Sequence, residues 1–175
     1  QGILADLIEV DPTHEVVVEE FLKQELEYLL VDSASTAHDG IKILQENSAG
    51  RATFLIQSQN QDEEDFDEIE SLVQQLTQND PRLIPVSGVV RLSSEYKYKL
   101  RVVLPQFFHS VIAPSYDIAI NISQTYPQLT ILTPQGEVIR NHVISGGGTT
   151  SSGHLSLKRE IRDLEREVGL TQKEL

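Results

Sequence analysis
The chain has 175 residues, 39% of them hydrophobic, with no Cys, Met or Trp and a formal net charge of −13. That length and apolar content bury a real core, as one domain or as two small packed subdomains, and exclude a disordered chain. The lack of Cys excludes disulfides, thiolate nucleophiles and cysteine-ligated zinc and suits a reducing cytosol, while no apolar run approaches the roughly 20 residues of a membrane helix, so no membrane partner is expected.

Taken in chain order, Ile3 to Val10 predicts a strand, and Asp11-Pro12-Thr13 starts a helix with Asp11 as its cap and Val17, Val18, Phe21 and Leu22 buried. Leu26 to Val31 predicts a strand, Ser33 to Glu46 a helix through Ala37, Ile41 and Leu44, and Ala52 to Ile56 a strand. Gln61 to Asp80 contains eight acids and no Lys or Arg, which concentrates the negative charge there. Asp62 to Asp67 lacks the glycine and alternating oxygen ligands of a calcium loop, so a metal is not expected. The stretch reads as a solvated connector running into a helix with Ile69, Leu72, Val73 and Leu76 as its buried stripe. Val86 to Leu92 then predicts a strand, Ser94 to Leu104 a helix stopped by Pro105, Phe108 to Ala113 a strand, Ser115 to Gln124 a helix and Leu129 to Thr133 a strand. Pro134-Gln135-Gly136 turns into a last strand, Glu137 to Ile144.

The order β-α-β-α-β thus occurs twice. Ile8 to Ala37 lies over Val90 to Ala119, eighty-two positions on, without a gap. Four pairs are identical, against roughly two expected by chance, so the match is one of apolar pattern: Val18 meets Leu100, Leu22 meets Leu104, Leu26 meets Phe108 and Ala37 meets Ala119. Two copies at that separation predict an α/β fold of mixed α+β type, built from two similar subdomains related by a pseudo-two-fold axis.

Two segments have no counterpart in the first copy. Gly146 to Gly153 is a glycine-rich loop after a strand, without the Lys-Ser or Lys-Thr of a P-loop or the GxGxxG of a dinucleotide site. Glycines there also let another backbone approach closely, including that of a second subunit. Leu157, Ile161, Leu164, Val168, Thr171 and Leu175 are spaced 4, 3, 4, 3, 4, a heptad seam on a charged helix that wants a partner; with fewer than three heptads, an amphipathic helix packed on the domain itself is the competing reading. The opening Gln1-Gly2-Ile3 without Met and the unpartnered seam lead us to expect an excised piece of something longer.

Gly2-Ile3-Leu4-Ala5-Asp6-Leu7-Ile8-Glu9-Val10-Asp11, Val31-Asp32 followed by Ala37, Gly50 to Leu55, and Ile144-Ser145-Gly146-Gly147 leading to Arg159-Glu160-Ile161 resemble the hinge domain of bacterial SMC (structural maintenance of chromosomes) proteins, over Gly2 to about Leu164. The resemblance implies residues 1–60 as an N-terminal hinge subdomain, 61–85 as acidic connector and helix, 86–153 as the C-terminal subdomain and 154–175 as the start of a coiled-coil arm. It implies a toroidal homodimer in which the N-terminal subdomain of one protomer meets the C-terminal subdomain of the other. Gly136, Val143, Ile144, Ser145, Gly146, Gly147 and Gly148 are its expected dimer interface. The seam of the arm is expected to pair with an N-terminal coiled-coil strand of the same full-length protein, an ATPase of chromosome condensation and segregation, cytoplasmic and nucleoid-associated, whose ATPase heads lie outside this chain. One departure stands out: the family carries further glycine where this chain has Arg140-Asn141-His142-Val143, and the stretch is one residue shorter.

A DNA-contacting or gating role is the further expectation. Lys97, Lys99 and Arg101, with Arg91 beside them and Tyr96 or Tyr98 to stack, are the first candidates; Lys158, Arg159 and Arg162 at the arm root are the second. A solvated helix face is the competing reading of the Tyr96 to Arg101 stretch. The five His residues form no HExxH and no nucleophile constellation, so no catalytic residue, metal or cofactor is expected. The alternative to an assembly module is a small-molecule- or nucleotide-binding α/β domain using the glycine loop.

Overall fold
The fold was analysed in a computed structural model, which describes residues 2–56, 68–92, 100–101, 103–147 and 153–171. The expected strand Ile3 to Val10 is instead a helical turn, α1 (Leu4–Leu7), followed by the two-residue strand β1 (Glu9–Val10). The reason lies in which residues face inward: Leu4, Ala5 and Ile8 are all buried, a helical spacing, whereas a strand would put Leu4 and Ala5 on opposite faces. Asp6 Oδ2 fixes the turn by accepting the Ile3 N–H at 3.0 Å. The same correction recurs eighty-two positions on, where the expected strand Val86 to Leu92 is α5 (Val86–Val89) and β5 (Val90–Arg91), preceded by β4 (Ile84–Pro85).

Helix α2 (Glu15–Phe21) starts later than expected because Asp11 Oδ1 accepts the Thr13 N–H at 2.9 Å, an Asx-turn that holds Asp11 to His14 outside the helix. Val17, Val18, Phe21 and Leu22 are buried as expected. A 3₁₀ turn (Glu25–Glu27) seats Leu26 in the core and shortens the next strand to β2 (Leu29–Val31). Helix α3 (Ala34–Glu46) is capped by Ser33, whose Oγ accepts the Thr36 N–H at 3.2 Å. Of its expected stripe, Ala37 is buried while Ile41 is exposed. Strand β3 (Phe54–Ile56) runs parallel to β2. The acidic residues 61–67 lie outside the described residues; the helix they lead to is α4 (Glu68–Asn79), with Val73 buried and Ile69, Leu72 and Leu76 packed around it.

The expected helix Ser94 to Leu104 is described at Leu100, Arg101 and Val103 and ends at Leu104. Pro105 then opens a further turn, α6 (Pro105–Phe108), so the next strand shrinks to β6 (Ser110–Ile112). Helix α7 (Tyr116–Thr125) and β7 (Thr130–Leu132) follow. Gly136, at φ +87°, closes a turn by donating its N–H to the Thr133 carbonyl at 2.9 Å. The expected single strand Glu137 to Ile144 is a hairpin of β8 (Val138–Arg140) and β9 (Val143–Ser145). Asn141 and His142 turn it at φ +44° and +68°, the two positive values that a type I′ turn requires. A long helix, α8 (His154–Thr171), ends the described chain.

The strands form a five-stranded sheet ordered β4-β6-β7-β8-β9, parallel between β6 and β7 and antiparallel elsewhere, with two separate pairs, β2-β3 and β1-β5. The duplication holds down to register. Ile3 opposite Leu29 in the first copy becomes Pro85 opposite Val111 in the second, and Leu30 opposite Leu55 becomes Ile112 opposite Leu132. Where the copies meet, β1 and β5 pair antiparallel with Glu9 opposite Arg91, its own equivalent, so the two strands are related by a local two-fold.

One core cluster runs through both copies, from Leu4, Ile8, Val18 and Leu22 to Val86, Val90, Leu104, Phe108 and Ile112. A second belongs to the second copy alone, where Val111, Ile131 and Ile139 on the other face of the sheet meet Val73 of α4 and Ala119 of α7. The central strands β6 and β7 are therefore buried on both faces. Each large apolar side chain so enclosed contributes about 1.5–3 kcal/mol.

His142 occupies a left-handed position where the I′ turn favours glycine, at a cost of about 1 kcal/mol. His142→Gly is expected to raise the thermal midpoint by about 2 °C and Asn141→Val to lower it, both read by circular dichroism melting.

Candidate functional site
Two features stand out from the body: a free sheet edge and the root of the last helix. The edge is β9. It hydrogen-bonds to β8 on one side, and all its residues are exposed, Val143 at 67% and Ile144 at 49%, apolar positions on an unpaired edge. The Val138–Ser145 register sets Gly136 and Glu137 beside Gly146 and Gly147. A Cβ on Gly146 would come within 2.9 Å of Glu137 Cγ, so glycine is what allows the chain to leave the edge closely against its neighbour. The structure thus gathers Gly136 and Val143 to Gly147 along one hairpin, Val143 beside its turn and the glycines at its open end; Gly148 lies outside the described residues. Among the described residues, the first copy also has an edge without a further strand at β3, whose Ile56 is exposed.

Helix α8 follows the second copy in sequence but docks on the first. Leu155 is buried in the shared core, and its backbone N–H donates to Glu19 Oε1 of α2 at 3.0 Å, a cap supplied from another element. One turn on, Lys158 Nζ donates to the carbonyls of Ala5, Asp6 and Ile8 at 2.9, 2.7 and 3.4 Å, meeting the carbonyls left open where α1 ends. Burial of this ammonium pushes its pKa below the ordinary 10.5, against the attraction of Asp6 and Glu9. Arg159 Nη1 pairs with Glu15 Oε2, a carboxylate only 5% exposed as a residue, and Arg162 Nη1 reaches Glu9 Oε1 at 3.1 Å. Beyond this root the seam is bare: Leu157, Ile161, Leu164 and Val168 are between 45% and 56% exposed.

The expected DNA-binding residues therefore divide. Lys158, Arg159 and Arg162 come together, already engaged by carbonyls and carboxylates of the body. Arg91 stands opposite Glu9 and joins that neighbourhood. Arg101 is instead half-buried beside Phe108 and paired with Glu70 of α4 at 2.9 Å. Lys97 and Lys99, with Tyr96 and Tyr98, lie outside the described residues. Sequence reasoning missed Glu9, Glu15 and Glu19, since nothing in their local pattern separates them from solvated acids; a comparison of the two copies' charges was the available signal. Among the described residues no group of His, Cys, Asp or Glu is placed to hold a metal, and no helix is long and apolar enough to cross a membrane.

A short helical turn before each of two symmetry-paired strands, one sheet per copy and a long amphipathic helix leaving the body define a duplicated α/β module built to carry an arm. Comparison with known proteins identifies the class. Residues 1–123 match the family of SMC proteins Flexible Hinge Domain, and the chain belongs to that family. It is 35% identical over 175 residues to the chromosome partition protein Smc of Koribacter versatilis; the match covers 99% of this chain and 13% of that protein, so the chain spans about an eighth of its relative. Among solved structures, an asymmetric dimer of the Geobacillus stearothermophilus SMC hinge domain is similar with a TM-score of 0.77 at 22% identity, covering 99% of this chain and 68% of that one. The Pyrococcus furiosus Smc hinge domain with an extended coiled coil gives a TM-score of 0.62 at 20% identity, covering 99% and 58%.

A Cβ on Gly153 would run into the Glu19 carboxylate that caps α8. Gly153→Ala is expected to cost about 1 kcal/mol, a fall of roughly 2–4 °C in the thermal midpoint. Lys158 is expected to titrate below 10.5, followed through its side-chain carbon shifts by NMR; a value at or above that would contradict the buried ammonium described here.

Proposed function
We propose that this hinge domain is a homodimerisation module that joins two coiled-coil arms of a chromosome partition ATPase. The observation that carries the reading is the pair of free edges, one in each copy. Edge strands with exposed apolar residues are rarely left open in stable proteins. If β9 of one protomer adds to β3 of its partner, a two-fold rotation makes the same contact a second time, and two copies close into a ring in which both of these edges are covered. Gly136 and Val143 to Gly147 lie at each joint, with Gly148 next in sequence, the glycines admitting the partner backbone. The alternation of the unpartnered seam supports α8 as one strand of an arm, its complement being a coiled-coil strand from elsewhere in the full-length protein. Nucleic acid is secondary in this reading, because the basic residues of the arm root are committed to partners within the chain.

Solution mass by sedimentation equilibrium, for the unaltered chain and for Gly146→Glu with Gly147→Glu, tests it. A dimer that becomes a folded monomer on substitution is the expected outcome. An unaltered chain that stays monomeric at tens of micromolar, well above the concentration a stable interface needs, would overturn it and return the glycine loop to ligand binding.

A further inference from the structure
The four contacts at the root of α8 lie on one side of the helix. Leu155, Lys158, Arg159 and Arg162 are spaced 3, 1, 3, while the seam Leu157, Ile161, Leu164 and Val168 follows a different line. The body therefore grips the helix without using the surface that a partner helix needs. A second observation is independent of these distances. The acids that receive α8 are Glu9, Glu15 and Glu19, and eighty-two positions later the equivalent residues are Arg91, Lys97 and Arg101. Every acid that touches the helix root has a base as its counterpart. Arg101 is itself paired with Glu70 of α4 and Lys97 lies outside the described residues, so the contrast is one of sequence, and of the two copies it is the first that offers acids to the basic side of the helix.

The geometry points to a charged clamp: Glu19, Glu15 and the carbonyls around Lys158 fix the direction in which the arm leaves the hinge. The inference rests on the reading of α8 as an arm. Within the clamp the contacts differ in kind. The Glu15 and Lys158 contacts are partly shielded from solvent, so salt reaches them little, whereas Glu9 and Arg162 each keep 54% of their side-chain surface exposed and are readily screened. The clamp thus has a persistent inner part and an outer contact that ionic strength weakens. It restricts a swivel rather than adding much to the stability of the body, whose core is complete without it apart from Leu155.

The absence of cysteine makes the test clean. Gln124→Cys on α7 and Arg166→Cys on α8, both exposed, take nitroxide labels, and labelled chain is diluted into excess unlabelled chain so that one distance is read by double electron-electron resonance. The otherwise unaltered chain is expected to give a single narrow distribution. Glu15→Gln with Glu19→Gln, and separately Lys158→Met, are each expected to broaden it about twofold. Salt near 1 M, where the Debye length is about 3 Å, is expected to broaden it less, and Glu9→Gln to abolish that salt response. Distributions that overlay that of the parent in both clamp variants, or a parent that is broad from the start, would overturn the clamp. A merely structural role would lower the thermal midpoint and leave the width unchanged. Should the Glu15, Glu19 variant fail to fold, Lys158→Met, which keeps the aliphatic stem, decides alone. The distance is intramolecular, so a monomeric chain with a narrow distribution would remove the dimer reading and leave the clamp standing.

Discussion

The antiparallel pair β1-β5 is the constraint on which the rest depends. Glu9 lies opposite Arg91, its own equivalent, and the Asp11 N–H donates to the Val89 carbonyl at 3.1 Å, so the ladder continues past the strand ends. A ladder between equivalent strands relates those strands by a local two-fold where the copies meet. Leu4 and Ile8 of one then share a core with Val86 and Val90 of the other. The first copy forms no core cluster apart from the one it shares with the second among the described residues. Joined, they form one body whose stability belongs to neither half, and whose free edges and helix root are held in fixed relation.

The symmetry is broken where the sequence breaks it. In α7 the outward positions Ile118, Ile120 and Ile122 pack around the second core together with α4. Their equivalents in α3 are Thr36, His38 and Gly40, which need no such cover. Among the described residues only the second copy is covered by α4 and extended by a hairpin, so the copies end in different edges, β3 partly buried and β9 exposed throughout. Unequal edges suit a head-to-tail contact between protomers better than a contact of like with like.

Much of this was legible in the sequence because apolar spacing is a direct consequence of burial. The duplication, α2, α3, α4, α7 and the seam of α8 all follow from residues three and four apart facing one way. The misread segments share a cause. Ile3 to Val10 and Val86 to Leu92 are rich in Ile, Val and Leu, and a short apolar run does not reveal whether one face or a whole helical turn is buried. Glu137 to Ile144 was misread because Asn141-His142 lacks the glycine by which such a turn is usually recognised. The glycines and β9 residues proposed for the interface came from resemblance and from their place beside a turn. Glu9, Glu15 and Glu19 stayed hidden because their partners are about 140 to 150 residues away, and no local pattern encodes a contact across that distance.

The contacts at the arm root follow from where the copies differ in charge. Glu9, Glu15 and Glu19 have Arg91, Lys97 and Arg101 as their sequence equivalents, and Arg101 is taken up by Glu70 of α4 rather than by the arm. The first copy therefore offers acids to the basic side of α8, and each unlike pair at contact distance is worth about 1 kcal/mol even in a watery environment. An arm attached in this way gains a defined direction with little added strength, which leaves its apolar seam free for the helix that must run beside it.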